Sequence, residues 1–98
     1  MTKNIKVKKK WIGKEGDQAE ISLIANNVVK ESVVLYKNKG WEHTFNNLPV
    51  RDEKGVTINY NVEEKAVPDY KTSIKENKKE GFLIENKYDG VKIGRAHV

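Results

Sequence analysis

The sequence predicts an all-β domain, an antiparallel sandwich or barrel of about seven short strands. Apolar and polar residues alternate with a period of two in run after run, turn-forming residues punctuate the runs, and helical periodicity is hard to find. Ile5, Val7, Lys9 and Trp11 share one parity and form the first strand, and the cluster 13–17 turns it. Ile21, Leu23 and Ala25 follow, then the turn pair Asn26-Asn27, then a β-branched stretch over 33–36. After the cluster 37–40, Trp41, His43 and Phe45 alternate. A turn over 52–55 precedes Ile58, Tyr60, Val62 and Glu64. Further turn signals lie at Pro68-Asp69 and over 76–81, and Phe82, Ile84, Asn86 and Tyr88 form the last strand. Short strands at this spacing fit two packed sheets or a closed barrel.

Length and composition narrow the function. Ninety-eight residues suffice for one domain, read as 1–90, with 91–98 as a tail of linker or vector-derived residues outside the strand pattern. A chain this short buries only about 60–70% of its unfolded surface, so its stability margin is thin. With no cysteine there is no disulfide, thiolate metal site or cysteine nucleophile, and His43 and His97 lie far apart. No metal or other cofactor is expected. The 19 basic and 14 acidic residues leave a net charge of +5. Only Lys8-Lys9-Lys10 is a dense basic run, so a solvated lysine-rich surface is favoured over a nucleic-acid partner. No apolar stretch approaches the roughly 20 residues of a membrane span. No signal peptide precedes the first strand, so a secreted parent would make this an excised domain.

Three strands place one polar residue on their core face. Lys9 shares parity with Ile5, Val7 and Trp11; Glu64 with Ile58, Tyr60 and Val62; Asn86 with Phe82, Ile84 and Tyr88. Lys8, Lys10, Glu63, Glu85 and Asp89 are out of phase and face solvent. A buried amine, carboxyl or amide costs several kcal/mol unless satisfied, so three together point to a constellation. Burial lowers a lysine's pKa and raises a carboxylic acid's. A neutral Lys9 amine is a nucleophile, the Asn86 carboxamide carbon an electrophile, and a protonated Glu64 can polarise the amide and pass protons to departing ammonia. The product would be a Lys9–Asn86 amide, formed once within one chain, with the fold supplying the effective molarity.

The motifs holding these residues resemble those of Cna protein B-type (CnaB) domains, the stalk modules of Gram-positive surface adhesins and pilins. They are Lys9-Lys10-Trp11, then Trp41 through Leu48-Pro49, then Asp52-Glu53-Lys54-Gly55, the strand to Glu64, Val67 and Tyr70, and Ile84-Glu85-Asn86-Lys87-Tyr88. The resemblance covers roughly residues 5–88. It implies a β-sandwich of the inverse-immunoglobulin or prealbumin-like type with its first and last strands adjacent. It also implies Lys9 and Asn86 as the isopeptide-forming pair and Glu64 as the catalytic acid. The long loop often found after the tryptophan is reduced to residues 12–17, His43 stands where an aromatic is common, and 91–98 has no counterpart.

The function so implied is a self-crosslinked stalk domain, extracellular and cell-wall-anchored as part of a larger protein. Its partners would be neighbouring domains of that protein, with host extracellular matrix engaged through other domains, and the domain itself monomeric. No turnover activity is expected, since the three residues are consumed in their own bond. The alternative is an extracellular ligand-binding sandwich for host matrix, glycan or polyanion. Against it, Trp11, Trp41, Tyr36 and Tyr70 follow core-like patterns, leaving no exposed stacking row.

Overall fold

In the computed structural model, which describes residues 1–77 and 81–90, seven strands form two facing sheets. The strands are β1 (Thr2–Ile12), β2 (Gln18–Ala25), β3 (Val28–Tyr36), β4 (Glu42–Pro49), β5 (Tyr60–Glu64), β6 (Tyr70–Asn77) and β7 (Gly81–Tyr88). One sheet has the order β4-β1-β7-β6 and the other β3-β2-β5. Every ladder is antiparallel except β1–β7, where the first and last strands run parallel from Lys6↔Gly81 to Ile12↔Lys87.

The inner faces meet in one core. Ile5 and Val7 of β1, Phe45 and Leu48 of β4, and Phe82 and Ile84 of β7 pack against Ile21, Leu23, Leu35, Tyr60 and Val62 of the opposite sheet. Turn chemistry sets the connections. Asn26 and Asn27 both take positive φ (48° and 69°), as a two-residue hairpin with the twist of its strands requires. Asp52 Oδ1 accepts from the backbone N–H groups of Lys54 (2.8 Å) and Val56 (2.9 Å), closing the 52–55 turn.

Several elements depart from simple alternation. In β4 the core residues are Phe45 and Leu48, three apart, because a bulge at Asn46-Asn47 (Asn47 φ 57°) shifts the register against β1 between Lys3 and Ile5. A second irregularity between Leu23 and Ile24 buries both residues. Trp41 precedes β4 in a left-handed turn (φ 56°) rather than standing on the strand, with its carbonyl accepting from the Lys9 N–H at 2.8 Å. Tyr36 is 41% exposed, which corrects its core assignment: it is the last residue of an edge strand and points outward beside Gln18. The turn expected over 76–81 is partly strand, since β6 runs to Asn77 and β7 starts at Gly81. The tail 91–98 and His97 lie outside the described residues.

Candidate functional site

The pattern-breaking residues do point inward. On β1, Val7 and Lys9 are buried, Trp11 is half-buried, and Lys8 and Lys10 are exposed. Lys9 is held on both sides, paired with Ile84 of β7 and donating its backbone N–H to Trp41. Its side chain is fully buried, and Nζ lies 2.5 Å from Glu64 Oε2. Glu64 ends β5 in the opposite sheet, so this ion pair spans the sandwich. As a residue Glu64 is only half-buried, but its side chain is 1% exposed: the backbone reaches solvent at the strand end while the carboxylate lies inside.

Asn86 is buried completely on β7. It stands opposite Trp11 on the parallel ladder, two residues beyond Lys9's partner and on the same inward face. With strands about 4.8 Å apart and about 3.3 Å of rise per residue, that diagonal is about 8 Å between Cα atoms. The four-methylene arm of a lysine spans such a gap. Neither Asn86 Oδ1 nor Nδ2 has a hydrogen-bond partner among the described residues. Unsatisfied buried polar groups cost about 1–3 kcal/mol each, which makes this carboxamide an anomaly as a purely structural side chain.

The surroundings are aromatic and dry. The Lys9 ammonium lies 4.5 Å from the centroid of the Trp11 ring, which contacts Trp41 (5.2 Å) and Tyr70 (5.0 Å) edge-on. Tyr70 continues the row to Tyr88 at 5.4 Å. Burial pulls the Lys9 pKa below its ordinary value, outweighing the hydrogen bond and charge of Glu64, which oppose it. The amine is thereby biased towards its neutral, nucleophilic form. An acid within proton-transfer distance and an amide carbon on the adjacent strand complete a set able to exchange one amide for another.

One participant escaped sequence analysis. Thr72 of β6 donates its hydroxyl to Glu64 Oε1 at 3.0 Å, so both carboxylate oxygens are engaged, one by Lys9 and one by Thr72. Thr72 sits directly opposite Asn86 on the β6–β7 ladder. Its signal is the inward alternation of Tyr70, Thr72 and Ile74, which becomes legible only once β6 is paired with β7. Elsewhere, His43 packs edge-on to Phe45 at 4.8 Å at the core margin. Among the described residues no cluster of three or more histidine, cysteine or acidic side chains could hold a metal.

Residues 5–87 match the family model of the Cna protein B-type domain. Among solved structures, two B repeat units of the collagen-binding protein of Staphylococcus aureus share 30% identity with a TM-score of 0.78, covering 90% of this chain and 24% of that one. A single B repeat unit of the same protein gives 25% identity and a TM-score of 0.77, over 87% and 49% of the respective chains. The pilus adhesin SpaC of Lactobacillus rhamnosus GG, in its open conformation, shares the fold at 16% identity and a TM-score of 0.66, over 89% of this chain and 12% of that one. The chain thus spans about a quarter to a half of the staphylococcal structures it resembles. No curated protein matches it in sequence.

Proposed function

Because the chain belongs to the Cna protein B-type domain family, we propose that it is a structural stalk domain of a cell-surface adhesin or pilin, stabilised by a Lys9–Asn86 isopeptide bond. The observation that carries this reading is the pairing of a buried Lys9–Glu64 contact with a fully buried Asn86 carboxamide on the adjoining strand that has no hydrogen-bond partner among the described residues.

Glu64 takes a proton from Lys9, leaving a neutral amine and a carboxylic acid. The amine lone pair adds to Asn86 Cγ while the acid hydrogen-bonds the developing oxyanion. Collapse of the tetrahedral centre breaks the Cγ–Nδ2 bond, and protons relayed through Glu64 leave with the nitrogen as ammonia. One N–C bond forms and one breaks, and no oxidant or reductant is required. Trp11 and its aromatic neighbours keep the amine desolvated, and Thr72 orients the carboxyl by holding its second oxygen. The event occurs once, so the domain is not a turnover enzyme.

The crosslink ties the first strand to the last. Tension entering through β1 and leaving through β7 passes along the covalent link, sparing the other strands, and an amide withstands reducing conditions that open disulfides. These properties suit an extracellular, wall-anchored protein whose neighbouring domains carry the ligand-binding work. Intact-mass spectrometry of the folded chain tests the bond: the mass should be one ammonia below the sequence value. Glu64→Gln should fold and keep that ammonia. A full sequence mass in well-folded wild-type protein overturns the bond, and normal crosslinking in Glu64→Gln removes Glu64 from it.

A further inference from the structure

We propose that the outer face of the β4-β1-β7-β6 sheet is a docking surface for a linear anionic polysaccharide, carried by Lys8, Lys10, Lys75 and Lys87. Strand register decides which side chains stand there. With Val7, Lys9, Ile84 and Asn86 inward, the alternate positions of β1, β7 and β6 place Lys6, Lys8, Lys10, Lys71, Lys75 and Lys87 on the outer side. The acidic residues among them are Glu42 of β4 and Glu85 of β7. Glu42 is engaged with Lys6 at 2.8 Å, and Lys71 approaches Asp89 at 3.9 Å. Lys8, Lys10, Lys75 and Lys87 are exposed and form no ion pair among the described residues.

Two features separate this face from an ordinary solvated lysine surface, on which both signs are interspersed. The charges are unevenly divided between the sheets: β3-β2-β5 carries Glu20 and Glu63 outward against Lys30, the unpaired bulge residue of β3, and Lys65 just past β5, so its signs are interspersed, whereas lysines dominate the outer side of β4-β1-β7-β6. In addition, Lys71 and Lys87 stand directly opposite one another, with Asp89 set against Lys71, so Lys87 faces a like charge across the ladder. The face is also concave, with a groove of about 780 Å³ whose lining includes Lys6, Lys8, Lys10 and Lys75, with Glu76 as its one acid among the described residues.

The type of polyanion follows from what else the face offers. Its outward positions hold no aromatic ring, so nucleic-acid bases would find no stacking platform. All its cations are lysines, point charges without the planar fork of arginine. Their spacing is about 6.7 Å along β1 and about 10 Å across the sheet from Lys8 to Lys75. Such a grid reads charge density along a flexible chain, as in a sulfated polysaccharide, rather than the shape of one anion. This surface stands whether or not the Lys9–Asn86 bond forms.

Heparin, a sulfated polysaccharide, is the probe, titrated into the full chain across a range of salt. Four lysine contacts at about 0.7 released counterions each give a log–log salt slope of about −3, or a loss of about 50-fold between about 50 and 200 mM salt. Lys8→Ser/Lys10→Ser/Lys75→Ser/Lys87→Ser should abolish that slope while keeping the wild-type crosslinking state. Glu20→Gln/Glu63→Gln makes the chain more basic on the other face only and should leave the slope unchanged. No heparin binding at low salt, an unaltered slope in the quadruple variant, or a steeper one in the glutamine variant overturns the proposal. So does single-stranded DNA binding as tightly as heparin, or sedimentation showing the basic face occupied by the acidic face of a second copy.

Discussion

Replacing Asn86 by alanine separates covalent from non-covalent stabilisation, because the carboxamide makes no hydrogen bond among the described residues. On packing alone the variant should be nearly neutral. Removing three heavy atoms leaves a cavity of about 50 Å³, worth about 1 kcal/mol at 24 cal/mol per Å³. Relief of two unsatisfied buried atoms offsets this by a similar or greater amount. With the isopeptide bond the outcome changes sign and scale. The link closes a loop of about 78 residues, and the chain-entropy relation used for disulfides makes that closure worth about 4.5 kcal/mol. For a domain of this size each kcal/mol moves Tm by about 4–8 °C, so Asn86→Ala should melt about 20–35 °C below wild type. Differential scanning calorimetry, run with and without a thiol reductant and beside intact-mass measurement, reads the shift. The reasoning is refuted if wild type and variant unfold within a few degrees of each other.

Other expectations follow from the same geometry. In Asn86→Ala, Lys9 keeps its amine, and burial holds its folded pKa below the ordinary lysine value. Between those two values the unfolded chain binds the extra proton. Stability should therefore rise with pH through that window and be lost as pH falls towards the lowered pKa. Urea midpoints measured up to the ordinary tyrosine range detect the rise, and adding Lys9→Met should flatten it. Thr72→Val removes a hydroxyl donor from Glu64 and should slow crosslinking about tenfold or more in time-resolved mass spectra, with Thr72→Ser restoring the rate. Gly81→Ala would set a Cβ about 2.0 Å from the Lys6 carbonyl at φ +126°. Overpacking and backbone strain together should cost about 2–5 kcal/mol in chemical denaturation, and an unchanged midpoint would contradict the close β1–β7 approach.

The site was more legible than the fold around it. Lys9 and Asn86 announced themselves because each interrupts a clean alternation of large apolar residues, and a pleated strand enforces that alternation strictly. Glu64 was visible for the same reason, although only its carboxylate is buried. β6 gave only a weak signal: it is an edge strand exposed over most of its length, and the alternation of Tyr70, Thr72 and Ile74 is too short and too polar at Thr72 to mark a core face by itself. Thr72 was hidden with it. The bulges at Asn46-Asn47 and at Lys30, opposite Leu23-Ile24, change phase without any glycine or proline in them to mark the change. Tyr36 misled because an aromatic at a strand end serves equally well as core or as rim. The β1–β7 pairing was beyond periodicity altogether, since alternation reports which face a residue takes but never which strand lies beside it.

That pairing also sets an order of events during synthesis. β1 is the first strand made, yet its ladder with β7 joins residues about 75 positions apart, from Lys6↔Gly81 to Ile12↔Lys87. Until Gly81 to Tyr88 has emerged, β1 can pair only with β4, and β6 has no neighbour in its sheet. Loop closure of this length opposes early assembly, and folding dominated by such distant contacts is slow. The β3-β2-β5 sheet and the β1–β4 pair can form early, but the four-stranded sheet closes only when the final strand arrives. The link proposed between Lys9 and Asn86 would accordingly be the last covalent step in the making of the domain, waiting on its final strand.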